Sequence, residues 1–183
     1  MDELTGRILL AMPGIGDPRF ENSVIAMCVH NEDGALGIGI GAIHAQIQLH
    51  DIYDQVGIAP GEAPNCAVHD GGPVEQSRGF FLHTPDWQSE DTILIGEWAG
   101  LSTSQAILHA IAEGSGPRRW LAALGYAGWG SHQLDGEMQR NGWYPASADD
   151  AIVFDLPAHE RWAACWKAEG VTPALLSGDG GTA

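Results

Sequence analysis

The sequence predicts one compact domain of the α/β (α+β) class, a mixed β-sheet with flanking helices, and three observations carry that expectation. Its 183 residues are 44% hydrophobic, enough for one substantial core, whereas two halves would each be marginal. Short apolar runs bounded by turn residues alternate with stretches of helical period along the chain. No repeat, linker or low-complexity block separates them. The domain is expected over residues 1–176, with a flexible Gly-rich tail over 177–183.

The elements follow in order. Ile8 to Met12 is an apolar run closed by Pro13-Gly14, and Ser23 to Val29 is a second, closed by Asn31-Glu32-Asp33-Gly34; both read as buried strands. That turn feeds Ala35 to Gly41, where Leu36, Ile38 and Ile40 alternate with glycines. The second and third strands therefore form an antiparallel hairpin whose glycine face lies close to another backbone. Ile47, Ile52 and Val56 mark one face of a short helix, broken by the stretch Gly57 to Pro64. Phe80 to His83 and Thr92 to Ile95 are strands on either side of the turn Thr84-Pro85-Asp86. Ser102-Thr103-Ser104-Gln105 has the form of a capping box and predicts a helix from Thr103 to Glu113, stopped by Gly114 and Pro117. Trp120 to Leu124 suits a central strand, Gln133 to Arg140 a helix, and Ala151 to Phe154 a further strand. His159 to Ala168 is the last helix, with Trp162, Cys165 and Trp166 on one side.

Charge bounds the partners. There are 24 acidic and 8 basic residues, a formal charge of −16, and the acids run from Asp2 to Asp179 without forming a tail. Such a surface repels a phosphate backbone, so no direct nucleic-acid binding is expected. Lys167 is the single lysine, and the arginines are Arg7, Arg19, Arg78, Arg118, Arg119, Arg140 and Arg161, which makes the position of each informative. Cys28, Cys66 and Cys165 are widely spaced with no C-x-x-C, fitting reduced thiols in the cytosol rather than disulfides or a zinc site. The N-terminus is acidic before a short apolar run, so neither a signal sequence nor a membrane contact is expected, and the location read is cytoplasmic.

Among candidate motifs, Gly37-Ile38-Gly39-Ile40-Gly41-Ala42 formally matches G-x-G-x-x-A. These glycines alternate with isoleucines inside a strand, however, instead of opening a strand-to-helix turn, and close packing accounts for them. The eight histidines form no close ligand pair, there is neither G-x-S-x-G nor a P-loop, and no metal, cofactor or catalytic set is expected. Cys28 reads as core; Cys66 with His69 is conceivable as a loop pair. Two segments combine glycine turns with sparse polar groups. In His69-Asp70-Gly71-Gly72-Pro73-Val74-Glu75-Gln76-Ser77-Arg78-Gly79, Gly71 and Gly72 would expose backbone amides and Arg78 offers a forked donor for an anion. The alternative is a structural turn in which Arg78 pairs with Glu75. In the run from Gly125 to Glu137, a strand passes through a glycine turn into a helix start, with Trp129 as an apolar wall and Gln133 and Glu137 on one helical face. Its alternative is a packed corner with Trp129 in the core. Gly71, Gly72, Arg78, Trp129 and Gln133 are thus the candidate ligand-binding residues.

An ordered series runs through nearly the whole chain: Leu4-Thr5-Gly6 with Leu9-Leu10-Ala11-Met12-Pro13, Asp17-Pro18-Arg19-Phe20, Ser23-Val24-Ile25, His30-Asn31 and Gly34-Ala35. It continues as Gly71-Gly72-Pro73-Val74, Arg78-Gly79-Phe80 with Leu82-His83, and Gly125-Tyr126-Ala127-Gly128-Trp129-Gly130 with Gln133-Leu134, Glu137, Asn141 and Trp143. In this series the sequence resembles the YqgE/AlgH family of bacterial proteins. The resemblance implies a compact cytosolic α/β domain with no established biochemical activity, and a transcriptional role attached to some members. The chain departs from the family pattern where Gly41-Ala42 stand in place of Asn and a basic residue, and where His132 replaces a common glycine. Three functions follow: a regulatory module binding a small anionic ligand or a protein segment and acting indirectly on transcription, a hydrolase using His69, Asp70 or His132 as acid or base, and a direct DNA binder relying on Arg118-Arg119. The first is the reading the residues favour.

Overall fold

The computed structural model of the protein describes residues 4–13 and 21–176. Asp17-Pro18-Arg19-Phe20 and the expected tail lie outside the described residues. The strands are β1 (Ile8–Ala11), β2 (Val24–Asn31), β3 (Gly34–Gly39), β4 (Ile43–Gln48), β5 (Ala67–Asp70), β6 (Val74–His83), β7 (Ile93–Ile95), β8 (Ala99–Ser102), β9 (Trp120–Trp129) and β10 (Trp143–Ala146). The helices are α1 (Leu49–Val56), α2 (Gln105–Ala112), α3 (Gln133–Gln139) and α4 (Ala158–Glu169). One sheet runs β10-β1-β2-β3-β9-β6-β8-β7 in antiparallel order, and β5 joins it parallel to β9 with β4 on its far side. This is the mixed sheet with flanking helices that the sequence predicts.

Period-two alternation sorts the core. Ile8, Leu10, Val24, Ala26, Ile38, Leu82 and Ala123 point to one face, where Cys165 and Trp166 of α4 close over them. Their neighbours point the other way. Leu9, Ala11, Ile25 and Met27 pack on Leu134 of α3, while Val68, Phe81, Ala122 and Leu124 pack on α1 and α2 through Leu49, Tyr53, Ile107 and Ile111. The sheet curls until the β7–β8 hairpin reaches the chain ahead of β1, where the Trp98 indole donates to the Gly6 carbonyl at 3.0 Å.

The β2–β3 hairpin forms as expected, with Asn31 opposite Gly34 and the Asn31 side chain accepting from the Asp33 amide at 2.9 Å. Four expectations are corrected. Ala151 to Phe154 is not a strand but part of a π-helical turn, Ala151–Asp155, whose first amides are taken by the Asp149 carboxylate. An apolar run that short fits either state until its partners are known. The helix read from Ile47 begins at Leu49, because Ile43–Gln48 pair as β4 against β5. Ser102 is not the cap of α2: it ends β8 fully buried, Ser104 is the N-cap, and Asp91 accepts from the amides of Thr103 and Ser104, both at 3.0 Å. Finally, Gly125-Gly130 is not a strand-to-helix turn, since β9 continues through Gly125 to Trp129.

Candidate functional site

The site begins with a fork in the sheet. Ala35, Leu36 and Gly37 of β3 pair with Trp129, Gly128 and Ala127 of β9. Beyond Gly37 the two strands part, because β5 enters between them: His69 and Asp70 pair with Ala123 and Leu124 of β9, and the Asp70 amide reaches the Ala42 carbonyl. Gly71 fills the apex, its carbonyl accepting from Gly39 and its amide donating to Leu124, each at 2.8 Å. A Cβ on Gly71 would stand 2.2 Å from the Gly125 oxygen, and one on Gly72 would stand 2.1 Å from the Tyr126 carbonyl carbon. Close backbone approach therefore requires both glycines. Opposite them β6 bulges, with Glu75 to Arg78 interposed between Val74, opposite Tyr126, and Gly79, opposite Leu124.

Where the strands part, the surface opens into a cleft of about 340 Å³. Val24, Ile25, Pro73 and Ala127 supply apolar wall; Ser23, Asn22 and Gln76 supply uncharged polar groups. Gly71, Gly72, Gly39 and Gly41 line it through backbone, and Gly41-Ala42 place here two of the three positions at which the chain departs from the pattern it resembles; His132 is not in the lining. Its charged lining among the described residues is Glu21 and Asp70.

Behind the cleft floor lies a buried basic pair. Arg161 of α4 is 3% exposed and donates through Nη1 to the Ile40 carbonyl at 2.7 Å and to His69 Nε2 at 2.6 Å, and through Nε to the Ile152 carbonyl at 3.1 Å. A guanidinium only donates, so His69 Nε2 accepts and its Nδ1 donates to the Ala122 carbonyl at 3.0 Å. Burial, reinforced by the Arg161 charge, pushes His69 down to about 4. His69 is thus a neutral structural tie, unavailable to Cys66, whose thiol burial raises. The sequence signal for Arg161 is its place four residues before Cys165, on the buried stripe of α4, and charge alone does not reveal it.

The remaining candidates are dispersed. Arg78 lies in the β6 bulge, half-exposed, 3.5 Å from Glu75 Oε2 and 5.1 Å above the Phe80 ring. It does not line the cleft. Trp129 is buried against Trp143 in an edge-to-face contact, and Glu137 Oε1 accepts from both indoles, at 3.2 and 3.0 Å. Gln133 joins the same cluster, accepting from the Gly130 amide and donating to Glu137 Oε2. His132 is exposed in a left-handed conformation and donates to Asp135, which also accepts from the buried His30.

Two further arrangements bear on chemistry. Ser102 Oγ stands 2.7 Å from His83 Nε2, a nucleophile-to-base distance, and His83 Nδ1 donates to the Thr84 carbonyl. Both side chains are fully buried, so the pair serves as a core hydrogen bond. Arg118 and Arg119 share a shallow pocket with Asp86 and Asp150, and Arg119 pairs with Asp155 at 3.3 Å, so acids surround the basic pair. Among the described residues no three His, Cys, Asp or Glu side chains form a metal-holding group, and no helix is long and apolar enough to cross a membrane.

Comparison with known proteins gives a consistent lineage. The model of a family described as AlgH-like matches residues 8–174. A UPF0301 protein of Novosphingobium aromaticivorans is 55% identical over 98% of this chain and 97% of its own length. Another, from Rhizorhabdus wittichii, is 52% identical with the same coverage. The solution structure of the AlgH protein of Pseudomonas aeruginosa superposes with a TM-score of 0.81 at 39% identity, covering 94% of this chain and 92% of that one. A Corynebacterium diphtheriae protein shares the fold at a TM-score of 0.74 and 18% identity, covering 95% of this chain and 91% of its own.

Proposed function

The chain belongs to the AlgH-like family, and from that premise we propose that it is a cytosolic binding module that acts on transcription indirectly, seating a small ligand or a protein segment in the cleft at the β3–β9 fork. The observation that carries this reading is the cleft itself. It lies where strands diverge, a place where sheets present backbone and side chains to ligands, and it combines apolar wall with few polar groups. Gly71 and Gly72 belong to this site; Arg78, Trp129 and Gln133 support the strands around it.

The hydrolase reading has less support, because His69 is locked by Arg161, and His83 with Ser102 is sealed from solvent. Direct DNA binding is opposed by the acids around Arg118 and Arg119. The test is a titration with panels of cationic, neutral and anionic metabolites, following the amide resonances of Gly39, Gly41, Gly71 and Gly72. Shifts confined to these amides support the cleft as the seat, and silence across every panel rejects it. A gel-shift with duplex DNA at physiological salt is expected to stay negative; retention there would reject the indirect route.

A further inference from the structure

The charge of the cleft narrows its ligand beyond the reading above, on which the inference rests. Both charged groups among its described lining residues, Glu21 and Asp70, are carboxylates, and neither has an ion-pair partner among the described residues. The candidate for an anion contact, Arg78, lies outside the lining and is engaged by Glu75 and the Phe80 ring. Among the described residues the cation that approaches the floor, Arg161, is spent on the carbonyls of Ile40 and Ile152 and on His69. The protein as a whole carries −16, so its long-range field also disfavours the approach of anions. Val24, Ile25, Pro73 and Ala127 add apolar surface to the same lining, and about 340 Å³ admits a small organic molecule.

We infer that the cleft takes a small organic cation: an ammonium group held by Glu21 and Asp70, attached to an apolar body that lies on Val24, Ile25, Pro73 and Ala127. An exposed carboxylate gives an ammonium ion a modest, salt-sensitive preference, and two converging on one ligand add to it. The apolar wall supplies affinity that charge alone would not.

Three probes with one skeleton and different charge test this. Phenethylamine, phenethyl alcohol and phenylacetate are titrated into the full-length protein at low salt while the amides of Gly39, Gly41, Gly71 and Gly72 are followed by NMR. The amine is expected to bind about fivefold or more tightly than the alcohol, the size of one exposed ion pair, and phenylacetate to bind most weakly. The double variant Glu21→Gln/Asp70→Asn, at two exposed positions, is expected to bring the amine down to the level of the alcohol and leave the alcohol unchanged. Phenylacetate binding as well as the amine, or an amine affinity indifferent to the double variant, would overturn the cationic class while leaving the cleft as a ligand seat. No shift at these amides with any of the three probes would overturn the cleft together with its ligand class.

Discussion

A guanidinium at 3% exposure with carbonyls and an imidazole as its partners is an uncommon side chain, and Arg161 ties α4 to the residue after β3 through Ile40, to β5 through His69 and to the π-helical turn through Ile152. Burial lowers it to about 10, which leaves it charged at neutral pH. Removing it strands three acceptors in the core, so Arg161→Met is expected to cost about 2–4 kcal/mol in urea unfolding. Arg78→Met, at an exposed ion pair, should stay within about 0.5 kcal/mol. His69 contributes a pH dependence of definite sign. Its folded value of about 4 is below the ordinary histidine value of 6.5, so below 6.5 the unfolded chain takes up a proton that the native protein refuses. Stability linked to His69 is therefore full above pH 6.5, is lost as pH falls and levels off below 4, and about 2 kcal/mol is gone by pH 5. His69→Gln keeps an acceptor for Arg161 and a donor for Ala122 without titrating. Comparing the two proteins by urea unfolding at pH 7 and pH 5 isolates the effect, and equal losses in both would refute it.

Elements were legible where pattern is local and illegible where a distant partner decides. The β2–β3 hairpin announces itself through Asn31-Glu32-Asp33-Gly34, and its turn is where expected. β10 contains Pro145 and among the described residues pairs with β1 alone, at the sheet edge, where a missing amide is tolerated, so no alternation marks it. The cap of α2 stands two residues beyond the one the local pattern predicts, because the carboxylate that accepts from its first amides, Asp91, comes from the loop before β7. Slight burial pushes that carboxyl up, but hydrogen bonds from Ser89, Thr103 and Ser104 outweigh it and hold it well below the ordinary carboxylate range. Asp91→Ala should cost about 1–2 kcal/mol, with Asp91→Asn recovering part, as read from the urea midpoint. The glycines of the candidate site posed the same problem, since spacing does not distinguish a glycine forced by packing from one that is merely present. Gly125 has φ +79 and a Cβ there would stand 2.4 Å from the Gly72 oxygen, whereas nothing lies within 4 Å of a Cβ on Gly79. Gly125→Ala is expected to cost about 2 kcal/mol or more, and Gly79→Ala to stay within about 0.5 kcal/mol. A similar loss in both would mean that the β6 bulge, and with it the fork, is packed differently.

At the scale of the whole molecule, composition spoke for charge and silence fell on shape. The cleft was half legible: Gly71-Gly72 could be flagged, but its other wall comes from residues 21–25 and from Gly39 to Ala42, brought there only because β5 splits β3 from β9. Arg78 stands out in the sequence because cations are scarce, and scarcity does not say that a cation faces a cavity. The net charge of −16 itself has a thermodynamic consequence. Folding brings these acids closer together, so like-charge repulsion opposes the compact state. Opposing this, the described residues hold two arginine–carboxylate pairs, Arg78–Glu75 and Arg119–Asp155, both exposed and individually of small value. Salt weakens repulsion and attraction alike, and the excess of carboxylates decides the sign. Raising NaCl from about 10 mM to about 150 mM shortens the screening length from about 30 Å to about 8 Å. Tm should rise by about 2–5 °C for a chain of this size. KCl should give the same rise, since screening does not depend on which monovalent cation supplies it. A fall in Tm with either salt would mean that the few arginine contacts outweigh the repulsion, and the acidic surface would then lose its place as the reason to expect a cationic ligand.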